Sequence, residues 1–260
     1  MDSGVKLNTS KSMPAVGFGT WNIEASQTAD AVGEALRAGY RLIDTAKLYG
    51  NEAGVGEAVR NAHIPREDIF VTTKLWNDDQ GYDSALQAFD TSLARLGLEY
   101  IDLYLIHWPA TDERSDSWRA LCEIYRSGRA KAIGVSNYNI NNLHEVFELN
   151  DVIPAVNQIE FHPFNFGFQK ATVEFCNRHN IVVEAYSPLR RFAGEGNGVI
   201  ERVAQKVGRP ASQVILRWCI QHGTVPLPRS TNPQHIQENF QVLDFQLSDE
   251  DMHAIDGVSA

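Results

Sequence analysis

The sequence is poor in cysteine, in long apolar runs and in positive charge, and each shortage excludes a class of protein. Cys122, Cys176 and Cys219 lie far apart without Cys-x-x-Cys spacing, which favours reduced, structural thiols over a disulfide or metal framework. No apolar run could span a membrane and no signal peptide opens the chain, so we predict a cytoplasmic protein. A net charge of −10 argues against nucleic acid or an anionic membrane surface as a partner.

Two kinds of binding motif are also missing. No cluster of His, Cys and Asp has the spacing of a metal site, so we predict no metal. The dinucleotide fingerprint Gly-x-Gly-x-x-Gly is not convincing anywhere: Gly17-Phe18-Gly19 lacks the third glycine, and Gly54-Val55-Gly56 follows no predicted strand. A nucleotide cofactor would therefore need another kind of site.

What the sequence does contain is a repeating order of short apolar runs and longer stretches with helical periodicity. This order is typical of βαβ units and a parallel sheet. Helices are predicted at residues 28–38, 52–62, 82–96, 117–127, 141–149 and 168–179. The predicted strands are residues 15–19, 41–43, 69–73, 103–106, 132–135, 155–159, 182–185 and 225–227.

Eight such units over 260 residues predict an α/β fold, a (β/α)8 or TIM barrel, with a doubly wound sheet as the alternative. Gly39 and Gly128 are predicted to end helices, and Asp83 and Asn139 to begin them. We further predict a short hairpin within residues 5–13, a loop at 194–198 beside an extra helix, and extra C-terminal helices. No linker divides the chain, so residues 1–260 are predicted to be a single domain, and we expect a monomer.

Polar residues end three successive predicted strands. Asp44, Lys74 and His107 follow apolar runs, and Tyr49 lies five residues beyond Asp44. Because barrel enzymes carry their chemistry at the C-terminal ends of the strands, we expect these four side chains to meet at the barrel mouth. A structural ion pair and a rim tyrosine are the alternative for each residue taken alone.

The four residue types together suggest proton transfer. A tyrosine has an ordinary pKa near 10, and a nearby ammonium lowers that pKa toward the range in which a general acid works at neutral pH. We expect Lys74 to do this for Tyr49, Asp44 to keep Lys74 charged, and His107 to orient a substrate oxygen.

At these residues the chain resembles the aldo-keto reductase family, over nearly its whole length. Within the family we suspect the branch of the bacterial 2,5-diketo-D-gluconate reductases and prostaglandin F synthases. The resemblance is carried by seven blocks in the expected order: DTAKLYGNE (44–52), TTKLW (72–76), DLYLIHWP (102–109), GVSNY (134–138), NQIEFHP (157–163), AYSPL (185–189) and QENF (237–240).

The resemblance implies NAD(P)H-dependent reduction of aldehydes and ketones, with the tetrad Asp44, Tyr49, Lys74 and His107. NADPH would lie extended across the barrel mouth. By resemblance, Ser136, Asn137 and Gln158 would bind the nicotinamide carboxamide and Tyr186 would stack on the ring. The full set implied for the cofactor is Thr20, Trp21, Ser136, Asn137, Gln158, Tyr186, Ser187, Leu189, Arg229, Ser230, Thr231, His235, Glu238 and Asn239.

The sequence departs from the family pattern where the 2′-phosphate of the cofactor is usually held. Arg229 replaces the usual lysine and His235 the usual arginine. Arginine keeps a bidentate phosphate contact, whereas a mostly neutral imidazole pairs more weakly. We therefore expect a preference for NADPH with some use of NADH. Arg190 and Arg191 could face the cofactor pyrophosphate or form a solvated surface pair.

A short segment after His107 and a short C-terminus predict an open pocket with broad substrate range. Its aromatic floor and walls would be Trp21, Tyr49, Trp76, His107 and Trp108, with core packing as the alternative for Trp76 and Trp108. Two other functions stay open at this point: a barrel aldolase that uses Lys74 as a Schiff-base nucleophile, and a cofactor-sensing barrel without catalysis. The adjacent Asp44 counts against the first, and the intact tetrad against the second.

Overall fold

Eight parallel strands form one sheet that follows the order of the chain. The computed structural model describes residues 4–9, 11–149, 151–190 and 198–259, and within them each strand pairs with the next one in sequence. A two-stranded antiparallel hairpin, β1 (Val5–Lys6) and β2 (Ser12–Met13), precedes the sheet. The eight strands are β3 (Phe18–Gly19), β4 (Leu42–Asp44), β5 (Phe70–Leu75), β6 (Ile101–Ile106), β7 (Ala130–Ser136), β8 (Val156–Glu160), β9 (Val182–Tyr186) and β10 (Thr224–Leu227).

Backbone hydrogen bonds close this sheet into a barrel. The N–H groups of Gly17 and Gly19 donate to the carbonyl oxygens of Pro226 and Pro228, each at 3.0 Å, so the first strand meets the last. β5 and β6 are buried along their whole length, as strands are when helices cover one face and a barrel interior the other. The predicted (β/α)8 barrel with its hairpin is confirmed, and the doubly wound alternative is wrong because that sheet has open edges.

Helices cover the outside of the barrel. Each presents an apolar stripe to it; in α1, for example, the buried positions Thr28, Ala31, Val32, Ala35 and Leu36 recur every three or four residues. The helices are α1 (Ala25–Ala38), α2 (Glu52–Asn61), α3 (Tyr82–Leu96), α4 (Arg114–Arg126), α5 (Ile140–Glu148), α6 (Phe166–Arg178), α7 (Gly198–Val207), α8 (Ala211–Gln221), α9 (Pro233–Phe240) and α10 (Asp249–Asp256).

The predicted elements are all present, with differences at their ends. The first barrel strand is shorter than residues 15–19, whereas β5, β6 and β7 extend beyond their predicted limits. Two helices, α7 and α8, lie between β9 and β10, and α10 follows the barrel, so the extra helices are confirmed. Ser10 of the hairpin turn and residues 194–197 of the predicted loop lie outside the described residues.

The predicted helix ends are right at three positions and wrong at one. Asn139 caps α5 through a reciprocal capping box with Asn142, and Gly39 and Gly128 follow helices in the left-handed conformation. Asp83 does not begin α3, because the N-cap is Gly81, with φ 118°, two residues earlier. Asp83 lies in the first helical turn, where a carboxylate faces the positive end of the helix dipole.

Cys122, Cys176 and Cys219 are free and buried, in α4, α6 and α8 respectively. Burial raises the pKa of each thiol, which keeps it protonated and weakly nucleophilic. Among the described helices, none has both the length and the apolar character needed to cross a bilayer.

A close contact between α2 and α3 leads to a testable prediction for stability. A Cβ added to Gly56 of α2 would lie 1.8 Å from the backbone carbonyl oxygen of Leu96, which ends α3. We expect Gly56→Ala to lower the free energy of unfolding by about 2–3 kcal/mol, because backbone must move to relieve the clash. Urea unfolding measures this change.

Gly33→Ala is the matched control, since Gly33 lies within α1 and no neighbouring atom comes closer than 3.5 Å to an added Cβ. There the gain in helix propensity should stabilise the protein by roughly 0.5–1 kcal/mol. Equal effects of the two substitutions would contradict the contact that the structure gives Gly56.

Candidate active site

Four predicted catalytic side chains meet at one end of the barrel. Asp44 ends β4, Lys74 is the last but one residue of β5, and His107 directly follows β6. Tyr49 ends a single 3₁₀ turn, and the chain then reverses at Gly50, whose φ of 68° suits glycine. Parallel strands bring their C-terminal ends to the same edge, so local sequence alone suffices to place these residues together.

Lys74 is the centre of the group. Its Nζ donates to both carboxylate oxygens of Asp44 at 2.9 and 2.8 Å, to the carbonyl oxygen of Thr45 at 2.9 Å and to the hydroxyl of Tyr49 at 3.1 Å. Burial by itself lowers the pKa of Lys74, but the charge of Asp44 and the Tyr49 hydroxyl outweigh burial and leave that pKa raised. Lys74 is therefore a charged donor with its hydrogen-bonding capacity in use.

The pKa of Tyr49 is raised in this structure, which corrects the expectation of a lowered value. Burial is the largest cause and raises the pKa; the charge and hydrogen bond of Lys74 lower it, and Asp44 raises it again. The sequence showed the ammonium but not how far the phenol is removed from water. Lys74 thus limits the rise without reversing it, and Tyr49 keeps its proton at neutral pH.

His107 is a neutral imidazole. Burial, and then the nearby Lys74 charge, lower its pKa to about 3. Its Nδ1 is buried without a hydrogen-bond partner among the described residues, so Nε2 is the nitrogen left to face a ligand. The ring packs edge-on against Trp76, with 5.1 Å between ring centroids, and against Tyr49 at 5.7 Å. Packing thus fixes the ring beside the phenol.

A cavity of about 890 Å³ opens above these groups. It extends from Trp21, Leu48 and Trp108 at one end to Arg229 and Asn239 at the other. The predicted site residues that line it are Trp21, Asp44, Tyr49, His107, Trp108, Ser136, Asn137, Gln158, Tyr186, Ser187, Leu189, Arg229, Ser230, His235, Glu238 and Asn239.

Four predicted site residues do not line the cavity. Lys74 lies beneath Tyr49, and Thr20 is buried with its hydroxyl bonded to the carbonyl oxygen of Asp44 at 2.9 Å. Trp76 packs behind His107, and Thr231 is exposed beside the cavity's basic end. Thr20 therefore supports Asp44, and the half-buried ring of Trp76 supports that of His107. A place for Trp76 in the substrate pocket stays a prediction, with core packing as its alternative.

The polar side of the cavity is held by a hydrogen-bond network. Asn137 adopts a φ of 63°, and its side-chain amide donates to the carbonyl oxygen of His107 at 3.1 Å. The same amide accepts from the Tyr186 hydroxyl at 2.9 Å, while the Ser136 hydroxyl donates to the Gln158 carbonyl oxygen at 2.8 Å. This network ties the ends of β7, β8 and β9 together.

Sequence reasoning missed several residues at the cavity. Leu48 forms a wall beside Tyr49 and is 41% exposed, and its place next to the predicted acid was the available signal. Glu184 was also missed, although a lone glutamate within the predicted strand 182–185 is a recognisable anomaly. The other missed lining residues are Gly19, Pro188, Ser212, Leu227 and Pro228, which carry no chemical signal.

The predicted arginine pair is only partly described. Arg190 lines the cavity and pairs with Glu160 at 3.2 Å, and its side chain is 65% exposed. Arg191 lies outside the described residues. A pyrophosphate contact for Arg190 stays a prediction, and the solvated surface pair stays its alternative.

Comparison with known proteins identifies relatives over the same region. The sequence profile of the Aldo/keto reductase family matches residues 15–260. The 9,11-endoperoxide prostaglandin H2 reductase of Trypanosoma cruzi is 48% identical and matches 97% of this chain and 90% of that protein. The glyoxal reductase of Bacillus subtilis is 44% identical over 98% and 92%.

Solved structures show the same similarity. An aldo/keto reductase from Brucella melitensis superposes with a TM-score of 0.95 at 45% identity, over 99% of this chain and 98% of that one. A Gox0644 variant in complex with NADPH gives a TM-score of 0.93 at 41% identity, over 99% and 94%.

The chain belongs to the aldo/keto reductase family. The profile match spans every barrel strand and all four residues of the tetrad. The suspected branch within the family stays a prediction.

The basic end of the cavity is lined by Arg229 and His235, the two positions that are expected to depart from the family pattern. Arg229 is exposed and forms no ion pair with a described residue, so its guanidinium can take a ligand anion. His235 lies in the first turn of α9, whose N-terminus is capped by Asn232. Two groups of different strength, one fixed charge and one imidazole, therefore flank this end.

Proposed function

We propose that this aldo-keto reductase reduces aldehydes and ketones to alcohols with NADPH, and that Tyr49 supplies the proton. The observation that carries the assignment is the hydrogen-bonded chain from Asp44 through Lys74 to the Tyr49 hydroxyl, next to His107 at the base of the cavity. We also propose that residues 1–260 act as one domain.

The residues at the cavity fit the cofactor. Arg229, which forms no ion pair with a described residue, suits a phosphate, and the amide of Gln158 and the ring of Tyr186 suit an aromatic carboxamide. Trp21, Ser136, Asn137, Ser187, Leu189, Ser230, His235, Glu238 and Asn239 would complete its binding site. When bound, NADPH supplies the hydride.

Tyr49 is proposed as the general acid. Its phenol is protonated at neutral pH and loses that proton only as the carbonyl oxygen gains negative charge. Lys74 stabilises the phenolate that results, through the existing 3.1 Å contact, and Asp44 keeps Lys74 charged. The neutral imidazole of His107 donates from Nε2 to the carbonyl oxygen and orients it.

A Schiff-base aldolase is not favoured. Nucleophilic attack needs an uncharged amine, whereas the pKa of Lys74 is raised and its Nζ donates to Asp44, Thr45 and Tyr49. Borohydride should therefore trap no adduct between Lys74 and a carbonyl compound. A non-catalytic cofactor sensor would show binding of NADPH without turnover.

The substrate range is proposed to be broad. Trp21 and Trp108 are 54% and 41% exposed, and with Leu48 they form an apolar wall that is open to solvent. The relatives' names, a glyoxal reductase and a prostaglandin H2 reductase, fit substrates of very different size. An NADPH-oxidation screen over aromatic aldehydes, dicarbonyls, keto acids and keto sugars tests this, and no turnover of any class would overturn the proposed function.

Cofactor choice gives a further prediction. Arg229→Ala should lower kcat/KM for NADPH by about tenfold or more and leave NADH nearly unchanged, because one charge-assisted phosphate contact is lost. His235→Arg should raise the preference for NADPH by adding a second fixed charge. Steady-state kinetics with both cofactors measures the two ratios.

Arg119→Ala is the matched control, because Arg119 is exposed on α4 and pairs only locally with Asp116. It should change neither ratio. Equal or better use of NADH by the unaltered protein would rule out the proposed NADPH preference.

Two further properties belong to this proposal. We propose that the reductase acts as a monomer. Its location in the cytoplasm stays a prediction.

A further inference from the structure

Glu184 is a second carboxyl group at the centre of the site, beside that of Asp44, and the proposed mechanism does not use it. It lies in β9 directly beside Gln158 of β8 and is fully buried inside the barrel. Its Oε2 accepts from Nε2 of Gln158 at 2.8 Å, and Oε1 is buried without a partner among the described residues. A buried carboxylate oxygen without a donor is costly, so the surroundings favour the protonated acid.

Gln158 connects this carboxyl to the other groups. Its Nε2 also donates to Oδ1 of Asp44 at 2.8 Å, so both N–H bonds of the amide point at carboxyl groups. The amide oxygen is thereby left for the cavity, which Gln158 lines. An oxygen so placed can accept from the NH₂ of a carboxamide.

The charges around Glu184 make its ionisation sensitive to one more charge. The titratable groups that face it are Asp44, Lys74 and Tyr49, from β4, β5 and the loop after β4. Asp44 and Lys74 neutralise each other, so an ionised Glu184 gives the group a net negative charge. Burial, followed by the repulsion from Asp44, raises the pKa of Glu184 to about 8.

We propose that Glu184 is a positioning residue for the nicotinamide: it holds the Gln158 amide toward the cavity, and its ionised form favours the oxidised cofactor over the reduced one. The proposal rests on the proposed function, which places the nicotinamide beside Gln158. The oxidised ring is cationic and the reduced ring is neutral, so a nearby carboxylate attracts only the former. Conversely, NADP⁺ should promote loss of the Glu184 proton to solvent.

The test is the pH dependence of binding, without turnover. Kd values for NADPH and NADP⁺ are measured by quenching of intrinsic tryptophan fluorescence from about pH 7 to about pH 9.5, on either side of the Glu184 pKa. The ratio Kd(NADPH)/Kd(NADP⁺) should rise by about tenfold with pH, which corresponds to about one pKa unit of coupling. Both nucleotides carry the same 2′-phosphate, so any charge that acts on that phosphate affects both Kd values alike and cancels in the ratio.

Three variants separate the possible causes of a rise in this ratio with pH. Glu184→Gln keeps an oxygen that can accept from Gln158 but cannot ionise, so the ratio should become flat while affinity for NADPH is retained. Glu184→Ala should weaken both nucleotides, because one N–H of Gln158 loses its partner. Tyr49→Phe should keep the rise, which excludes the phenol as the titrating group.

Folding is checked by thermal melting. Because the folded pKa of Glu184 is raised, its contribution to stability is present at low pH and is lost as the pH rises through about 8. Glu184→Gln should therefore gain in melting temperature relative to the unaltered protein as the pH rises. If this variant does not fold, the inference is still tested by the pH dependence of the Kd ratio in the unaltered protein and in Tyr49→Phe.

A flat ratio in the unaltered protein, or the same rise in Glu184→Gln, would overturn the inference while leaving the proposed function intact. Failure of both nucleotides to bind the unaltered protein would overturn the proposed function and the inference together.

Discussion

Tyr49→Phe should lower kcat for carbonyl reduction by about 10²–10⁴-fold while leaving the Kd for NADPH nearly unchanged. The phenol makes its bond to the carbonyl oxygen mainly as negative charge develops, so its loss acts on the transition state. The substitution removes one oxygen and keeps the ring, which packs on Trp21 with 5.0 Å between ring centroids. Single-turnover kinetics together with fluorescence titration separates the chemical step from binding.

Tyr100→Phe is the matched control for loss of a phenolic oxygen. Tyr100 precedes β6 at the opposite end of the barrel, where its ring contacts Arg66 and Lys131. Its activity should equal that of the unaltered protein. If Tyr49→Phe retained full kcat, Tyr49 would not be the proton donor.

Lys74→Met should abolish most activity and also destabilise the fold. The substitution leaves the buried Asp44 carboxylate without its counter-ion, and breaking a buried pair on one side costs about 3–5 kcal/mol. The phenolate of Tyr49 also loses its stabilising donor, so kcat should fall by about 10²–10³-fold. Urea unfolding and kcat are the two measurements.

The double variant Asp44→Asn/Lys74→Met separates these two effects. Removing both charges should restore most of the lost stability, because no unpaired charge remains, whereas activity should stay low. Lys170→Met is the control: Lys170 pairs with Glu174 at the surface, and its loss should change neither stability nor activity appreciably. Normal stability and activity in Lys74→Met would contradict both assigned roles.

Local sequence patterns were enough to predict most of the barrel. Apolar runs of strand length, helical periodicity and glycines after helices depend on residues close together in the chain, so the eight strands and the first six helices could be predicted from the sequence. The length of β3 and the N-cap of α3 could not, because the short pairing of β3 with β4 and the turn at Gly81 depend on tertiary contacts.

At the candidate active site, too, local sequence predicts some features and tertiary contacts determine the others. Asp44, Lys74 and His107 could be predicted because each lies at the C-terminal end of its own strand, and Tyr49 because it lies five residues from Asp44. Trp76 was expected in the pocket wall; its ring contacts that of His107, and its place in the wall stays a prediction. The direction of a side chain at a strand end depends on neighbours from other strands, which the sequence does not reveal.

The sequence by itself determined the barrel, the four groups at its mouth and the family resemblance, since all of these depend on local order along the chain. Only the tertiary structure decided the charge and protonation of the groups at the site. Gln158 reaches Asp44 across 114 positions of sequence, Glu184 enters the same group, and burial raises the pKa of Tyr49 despite Lys74. Burial and distances across the barrel arise from packing of the whole chain, and they set the charge of each group.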